Sequence, residues 1–145
     1  NHARRVSYIS GKCAHEIGAD ELTAAVGGLY YRLGKVLGRP EIDNAVRVAT
    51  NYCFPSDVIE ILEEYGAKNR VPHSRESAIV HMVNALVTKL ELMDESTMSV
   101  DWNEDMLIYQ TLNEFSNSGV YDEANLSMNQ FLKIREMLVQ EGIAL

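Results

Sequence analysis

The chain has 145 residues, a mass of 16.3 kDa and 46% hydrophobic residues, values typical of a single globular domain that exclude a disordered tail. Its 13 basic and 21 acidic residues give a net charge of −8, which argues against binding a nucleic-acid backbone or an anionic membrane surface, because both need a surplus of cations. No run approaches the roughly 20 apolar residues of a membrane span. Cys13 and Cys53 lie among apolar residues, so we predict buried thiols and a cytoplasmic location.

Apolar residues recur every three or four positions along nearly the whole chain, a spacing that predicts helices. The first predicted helix ends at Gly18, and Asp20 is the expected N-cap of the second. Short helices are then predicted around 45–49 and 58–62. The second helix carries an apolar stripe that predicts its buried face: Leu22, Val26, Leu29, Tyr30 and Leu33.

The longest apolar helix is predicted over 71–92, with Ser74 as a cap, near the centre of the fold. The starts of the last two helices are predicted by two capping boxes, Asp101 with Glu104 and Ser127 with Gln130. No alternating run of β-branched residues bounded by hairpin turns is present.

These patterns together predict an all-α bundle of about seven helices. We expect residues 1–93 to form its core and residues 94–145 a C-terminal helical extension packed on the same domain. The helical pattern begins directly at Asn1, without a Met, so we expect the chain to be a domain of a longer protein.

One segment resembles a known family signature. Residues 28–35, Gly-Leu-Tyr-Tyr-Arg-Leu-Gly-Lys, are similar to the motif of the HD-domain phosphohydrolases, in which a small residue and Leu precede His-Asp-Ile-Gly-Lys. Four further segments resemble the family in the same order: 2–20, 54–66, 76–85 and 118–134. The last is similar to the closing segment of membrane-tethered HD proteins that hydrolyse cyclic dinucleotides. The resemblance implies the all-α HD-type bundle.

The resemblance also implies where a metal would be held. In the family, His and Asp side chains on adjacent helices bind a divalent metal, whose bound water attacks phosphorus. Of these ligands the chain retains His2. The other positions carry different residues: Tyr31 and Arg32 at the His-Asp dyad, Glu64 and Tyr65 at the His-His pair, and Asn84 at the final Asp.

Arg32 places a fixed positive charge where the dication would sit. At an effective dielectric of ~20, charges of +1 and +2 about 4 Å apart repel by roughly 8 kcal/mol, which is comparable with the whole binding free energy of a micromolar site. We therefore expect no metal or other cofactor and no catalytic residue. The alternative is a phosphohydrolase or cyclic-dinucleotide phosphodiesterase that holds a metal such as Mn or Fe on His2, Glu64 and Asn84.

The leading prediction is a non-catalytic regulatory, ligand-sensing or interaction module. Arg32 and Lys35 would form a cationic floor for an anionic small molecule, a nucleotide or a cyclic dinucleotide. The alternative for Arg32 is a salt bridge to Glu63 or Glu64 that closes the cleft. The expected ligand-binding residues are His2, Tyr31, Arg32, Lys35, Glu64, Tyr65 and Asn84.

A third interpretation is a plain helical oligomerisation domain, and the expected partners are a second copy or other domains of the parent protein. Asn84 needs hydrogen-bond partners, for which Tyr31 and Arg32 are the expected candidates. His15 is expected to be solvated and His81 half-buried or on the surface, and neither has the spacing of a metal ligand.

Overall fold

The computed structural model describes residues 1–65, 70–95 and 103–143, of which 94 and 95 are described by their backbone only. The predicted fold class is confirmed, because these residues are helical and contain no strand. No helix within these ranges is long and apolar enough to cross a membrane. The helices are α1 (His2–Glu16), α2 (Glu21–Tyr30), α3 (Leu33–Leu37), α4 (Glu41–Asn51), α5 (Ser56–Glu64), α6 (Arg75–Glu95), α7 (Glu104–Ser118) and α8 (Met128–Glu141).

Three of the predicted helix caps are confirmed. The Asp20 side chain accepts a hydrogen bond from the Thr23 backbone N–H at 3.0 Å, and Ser74 Oγ accepts one from Ser77 at 3.0 Å. α8 begins with the expected capping box of Ser127 and Gln130. The remaining predicted box includes Asp101, which lies outside the described residues.

Two helix starts differ from the prediction. Asn103 caps α7 by accepting from the Met106 backbone N–H at 2.8 Å. α6 begins at Arg75 rather than at residue 71, because Pro72 disfavours helical geometry in the residue before it and Ser74 serves as the cap.

α6 occupies the centre of the core, as predicted. Seven of its apolar side chains are fully buried, and the helix packs against α1, α2, α5 and α7. α8 packs on α1 and α7, so both ends of the sequence contribute to one hydrophobic cluster. The buried side chains of α6 include Ile79, Met82, Val83, Leu86 and Val87.

The predicted buried face of α2 is wrong. Leu22 is 72% exposed, and Leu29 and Tyr30 are also exposed, whereas the buried residues are Ala24, Gly27 and Gly28. A Cβ at Gly28 would lie 3.0 Å from the Ser7 Cα, and one at Gly27 would lie 2.5 Å from Ile61 Cδ1. α2 therefore packs through its smallest residues, since only they allow this close approach to α1 and α5, and its large apolar side chains point outwards.

The structure also corrects two smaller predictions. Cys13 is buried as expected, but Cys53 is exposed in the α4–α5 turn, where its φ is +61°. His81, predicted at most half-buried, is only 7% exposed. Its Nδ1 lies 2.8 Å from the Tyr121 hydroxyl and its ring meets Phe115 edge-on. This burial lowers the pKa of His81 to about 4.

Candidate functional site

Three residues predicted for the site form one hydrogen-bonded cluster. His2 comes from the first turn of α1, Tyr31 from the end of α2 and Asn84 from the middle of α6. His2 Nε2 lies 2.5 Å from the Tyr31 hydroxyl and 3.2 Å from Asn84 Oδ1, and the Tyr31 hydroxyl donates to Asn84 Oδ1 at 2.6 Å. We call these residues, with Glu91, the His2 cluster.

Glu91 completes the cluster from the other side of the imidazole. The His2 Nδ1 lies 2.9 Å and 3.0 Å from the two Glu91 carboxylate oxygens. On its other side, Nε2 has the Tyr31 hydroxyl and Asn84 Oδ1 within hydrogen-bond distance. Both ring nitrogens of His2 therefore have partners within the cluster, which leaves neither free for another group.

An aromatic pair with an adjacent cation lies next to this cluster. The rings of Tyr31 and Tyr65 have centroids 4.9 Å apart at an angle of 59°. Burial raises the pKa of both hydroxyls, and the Arg32 guanidinium lies close enough to act on both in the opposite direction. Arg32 is half-buried here, while Lys35, one turn further on, is exposed.

Glu64 is committed to other partners. Its buried carboxylate is 3.1 Å from the Arg70 guanidinium, and it accepts from the His73 backbone N–H at 3.0 Å and from His73 Nδ1 at 2.9 Å. Arg70 also pairs with Glu63 at 3.3 Å. The alternative in which Arg32 pairs with Glu63 or Glu64 is therefore wrong. In the part of the chain that the structure describes, Arg32 has no carboxylate partner.

The cleft side chains do not fit a divalent metal of the kind the HD resemblance implies. Among the described residues, no group of three or more His, Cys, Asp or Glu side chains is arranged to hold an ion. His2 has both nitrogens engaged, and Glu64 is directed at Arg70 and His73. The cleft instead presents a cation, two phenols and an amide.

Sequence reasoning missed Glu91 and the partners of Glu64. Glu91 lies seven residues after Asn84 on α6, which places the two side chains on one helix face two turns apart. That spacing was available as a signal. Arg70 and His73 lie between α5 and α6, outside the described helices, and no helical periodicity relates them to Glu64.

No protein-family model matches the chain. Ribonuclease Y of Aster yellows witches'-broom phytoplasma (strain AYWB) is 26% identical over 121 residues, covering 68% of this chain and 23% of that protein. The chain thus spans less than a quarter of the length of that curated relative.

Two solved structures share the architecture. The HD domain of the phosphodiesterase PgpH of L. monocytogenes superposes with a TM-score of 0.81 at 16% identity, covering 97% of this chain and 89% of that one. The same domain in complex with cyclic-di-AMP gives 0.78 at 18% identity, covering 97% and 87%. The chain therefore has the HD-domain, phosphodiesterase-like fold that its motifs predicted.

The comparisons overturn the expectation that the domain has no cofactor. Its structural neighbours are HD-domain phosphodiesterases, which normally depend on a metal. The side chains of this cleft do not match the metal dependence of the neighbours. Both nitrogens of His2 are hydrogen-bonded within the cluster, and Arg32 takes the place that the motif resemblance gives to a metal ligand.

Proposed function

We propose that this HD-fold domain is a ligand-sensing module that binds an anionic nucleotide, of the cyclic-dinucleotide class, in its cleft and does not hydrolyse it. The observation that carries the proposal is Arg32. Its guanidinium lies beside Tyr31 and Tyr65, at the position that the motif resemblance gives to the His-Asp dyad, and no described carboxylate pairs with it.

The charge distribution favours an anion at this place. Residues 28–40 contain Arg32, Lys35 and Arg39 and no acidic residue, although the whole chain carries a net charge of −8. A guanidinium presents planar paired donors that match two oxygens of a phosphate. A local cationic surface on an acidic protein also concentrates anions at one place.

The aromatic residues favour a base as the second part of the ligand. Tyr65 is half-buried beside Arg32, and its ring packs against Tyr31. Aromatic faces stack nucleic-acid bases, each contributing about 1–3 kcal/mol. The complex of the PgpH HD domain with cyclic-di-AMP supports this class of ligand for the shared fold.

The same residues argue against hydrolysis. The hydroxyl of Tyr31 has a raised pKa because it is buried, so it stays protonated near neutral pH and cannot act as a base. Both nitrogens of His2 are already hydrogen-bonded to Glu91, Tyr31 and Asn84. No described side chain of the cleft is left to activate a nucleophile.

Isothermal titration calorimetry with cyclic-di-AMP tests binding. We expect saturable binding by the wild type and a loss of about tenfold or more in Arg32→Ala, because hydrogen bonds to a charged group contribute about 1.5–3 kcal/mol. The matched control is Arg47→Ala on α4, an exposed arginine bonded to Asn44, which should bind like the wild type. Equal affinity in Arg32→Ala would refute the role of Arg32, and no binding of cyclic dinucleotides by the wild type would refute the proposal.

The second candidate, a metal-dependent phosphodiesterase, is favoured by the identity of the structural neighbours. It is tested by incubating the protein and cyclic-di-AMP with excess Mn²⁺ or Fe²⁺ and separating the products by chromatography. Unchanged dinucleotide supports the sensing module. Metal-dependent cleavage that is lost in His2→Ala would establish the phosphodiesterase instead.

A further inference from the structure

The outer groove between α1 and α2 carries large apolar side chains that packing within the domain leaves exposed. Tyr8 and Leu29, which line the groove, are 55% and 38% exposed, and Leu22, beside the groove on α2, is 72% exposed. The groove has a volume of about 450 Å³, and its charged lining residues are Arg4, Lys12 and Glu21. Lys12 is already paired with Glu141 at 3.1 Å.

The exposure follows from how the two helices pack. Gly28 allows α2 to approach α1 closely, because a Cβ at this position would lie 3.0 Å from the Ser7 Cα, so the large side chains of α2 are left on its outer face. Leu22 and Leu29 are seven residues apart, which places them on one side of α2 two turns apart. Two antiparallel helices with an outward apolar row can pack face to face with a second such pair, as in a four-helix bundle.

Arg4 and Glu21, which carry opposite charges, lie at opposite ends of this groove. Arg4 lies near the start of α1 and Glu21 at the start of α2. Because the helices are antiparallel, Glu21 sits at the far end of the groove, next to Gly11 and His15. A two-fold axis through the middle exchanges the ends, so that each Arg4 meets Glu21 of the partner subunit.

We propose that this groove binds the same groove of a second copy of the chain, forming a two-fold dimer in which Tyr8 and Leu29 meet the partner inside the groove and Leu22 meets it beside the groove. The acidic chain as a whole repels itself, and the two reciprocal pairs of Arg4 with Glu21 offset that repulsion at this face. The guanidinium of Arg4 has no carboxylate partner among the described side chains. A second copy supplies that partner.

Sedimentation velocity over a range of protein concentrations tests the proposal. We expect a reversible monomer–dimer equilibrium in the wild type. Arg4→Glu and Glu21→Arg should each weaken the dimer by about tenfold, because symmetry makes each reversal act twice. The double variant Arg4→Glu/Glu21→Arg should restore the wild-type affinity, since it rebuilds both pairs with opposite polarity.

An apolar position provides a further test. Leu22→Glu should abolish the dimer, whereas the control Met128→Glu on α8, at a similarly exposed apolar residue away from the groove, should leave it intact. Arg47→Glu is the corresponding charge-reversal control. A wild type that stays monomeric up to about 1 mM, or a double variant that dimerises no better than the single ones, would overturn the proposal. Titration of cyclic-di-AMP into Leu22→Glu tests the cleft independently of the dimer, because ligand binding in the cleft does not require a second copy.

Discussion

The buried imidazole of His81 should make the protein less stable as the pH falls. Burial lowers the pKa of His81 to about 4 in the folded protein from 6.5 in the unfolded chain. Between these values the unfolded chain binds the extra proton, so the free energy of unfolding decreases as the pH is lowered. The full difference corresponds to about 3 kcal/mol. About 2 kcal/mol of it should be lost between about pH 7 and about pH 5.

Urea denaturation followed by circular dichroism at both pH values measures this loss. His81→Gln cannot titrate, and its amide oxygen can still accept from the Tyr121 hydroxyl. We expect the pH dependence to shrink by about 2 kcal/mol in this variant and to be unchanged in His15→Gln, whose side chain is 77% exposed. Equal pH dependence in the wild type and His81→Gln would refute the assigned burial of the neutral ring.

Two further predictions concern packing and capping. Gly34→Ala should destabilise the fold by about 3 kcal/mol, because its Cβ would overlap the Glu41 carbonyl group. The control is Gly11→Ala, whose Cβ meets only an ordinary contact of 3.4 Å with Ala25 Cβ. Similar urea midpoints for the two variants would contradict the α3–α4 packing. Ser127→Ala should lower the free energy of unfolding by about 1 kcal/mol through loss of the α8 capping box. The control Ser56→Ala on α5, which has no side-chain cap, should leave stability unchanged. Equal thermal midpoints for the two variants would rule out the cap's contribution.

Local rules predicted those parts of the structure that local interactions determine. Asp20, Ser74 and Ser127 cap their helices as expected, because a cap needs only a side chain three residues from its donor. The continuous apolar pattern of α6 likewise identified the central helix. These features depend on spacing along one segment.

Prediction failed where the answer depended on which helix approaches which. The Leu22 stripe was the larger hydrophobic surface, yet α2 buries its glycines, because close approach to α1 decided the orientation. At the site, register along the family motifs brought His2, Tyr31 and Asn84 together correctly. The alignment with the motifs gave no information on Arg70. This residue forms the ion pairs with Glu63 and Glu64 that were considered for Arg32.

α1 belongs to both proposed binding surfaces. Its first turn provides His2 to the cleft, and the same rigid segment of about 22 Å presents Tyr8 to the outer groove. Because both proposed surfaces include α1, ligand binding in the cleft and dimerisation through the groove are expected to be coupled. Any molecule that shifts α1 on entering the cleft must alter subunit affinity by some factor, and by reciprocity assembly must alter the molecule's own affinity by that factor.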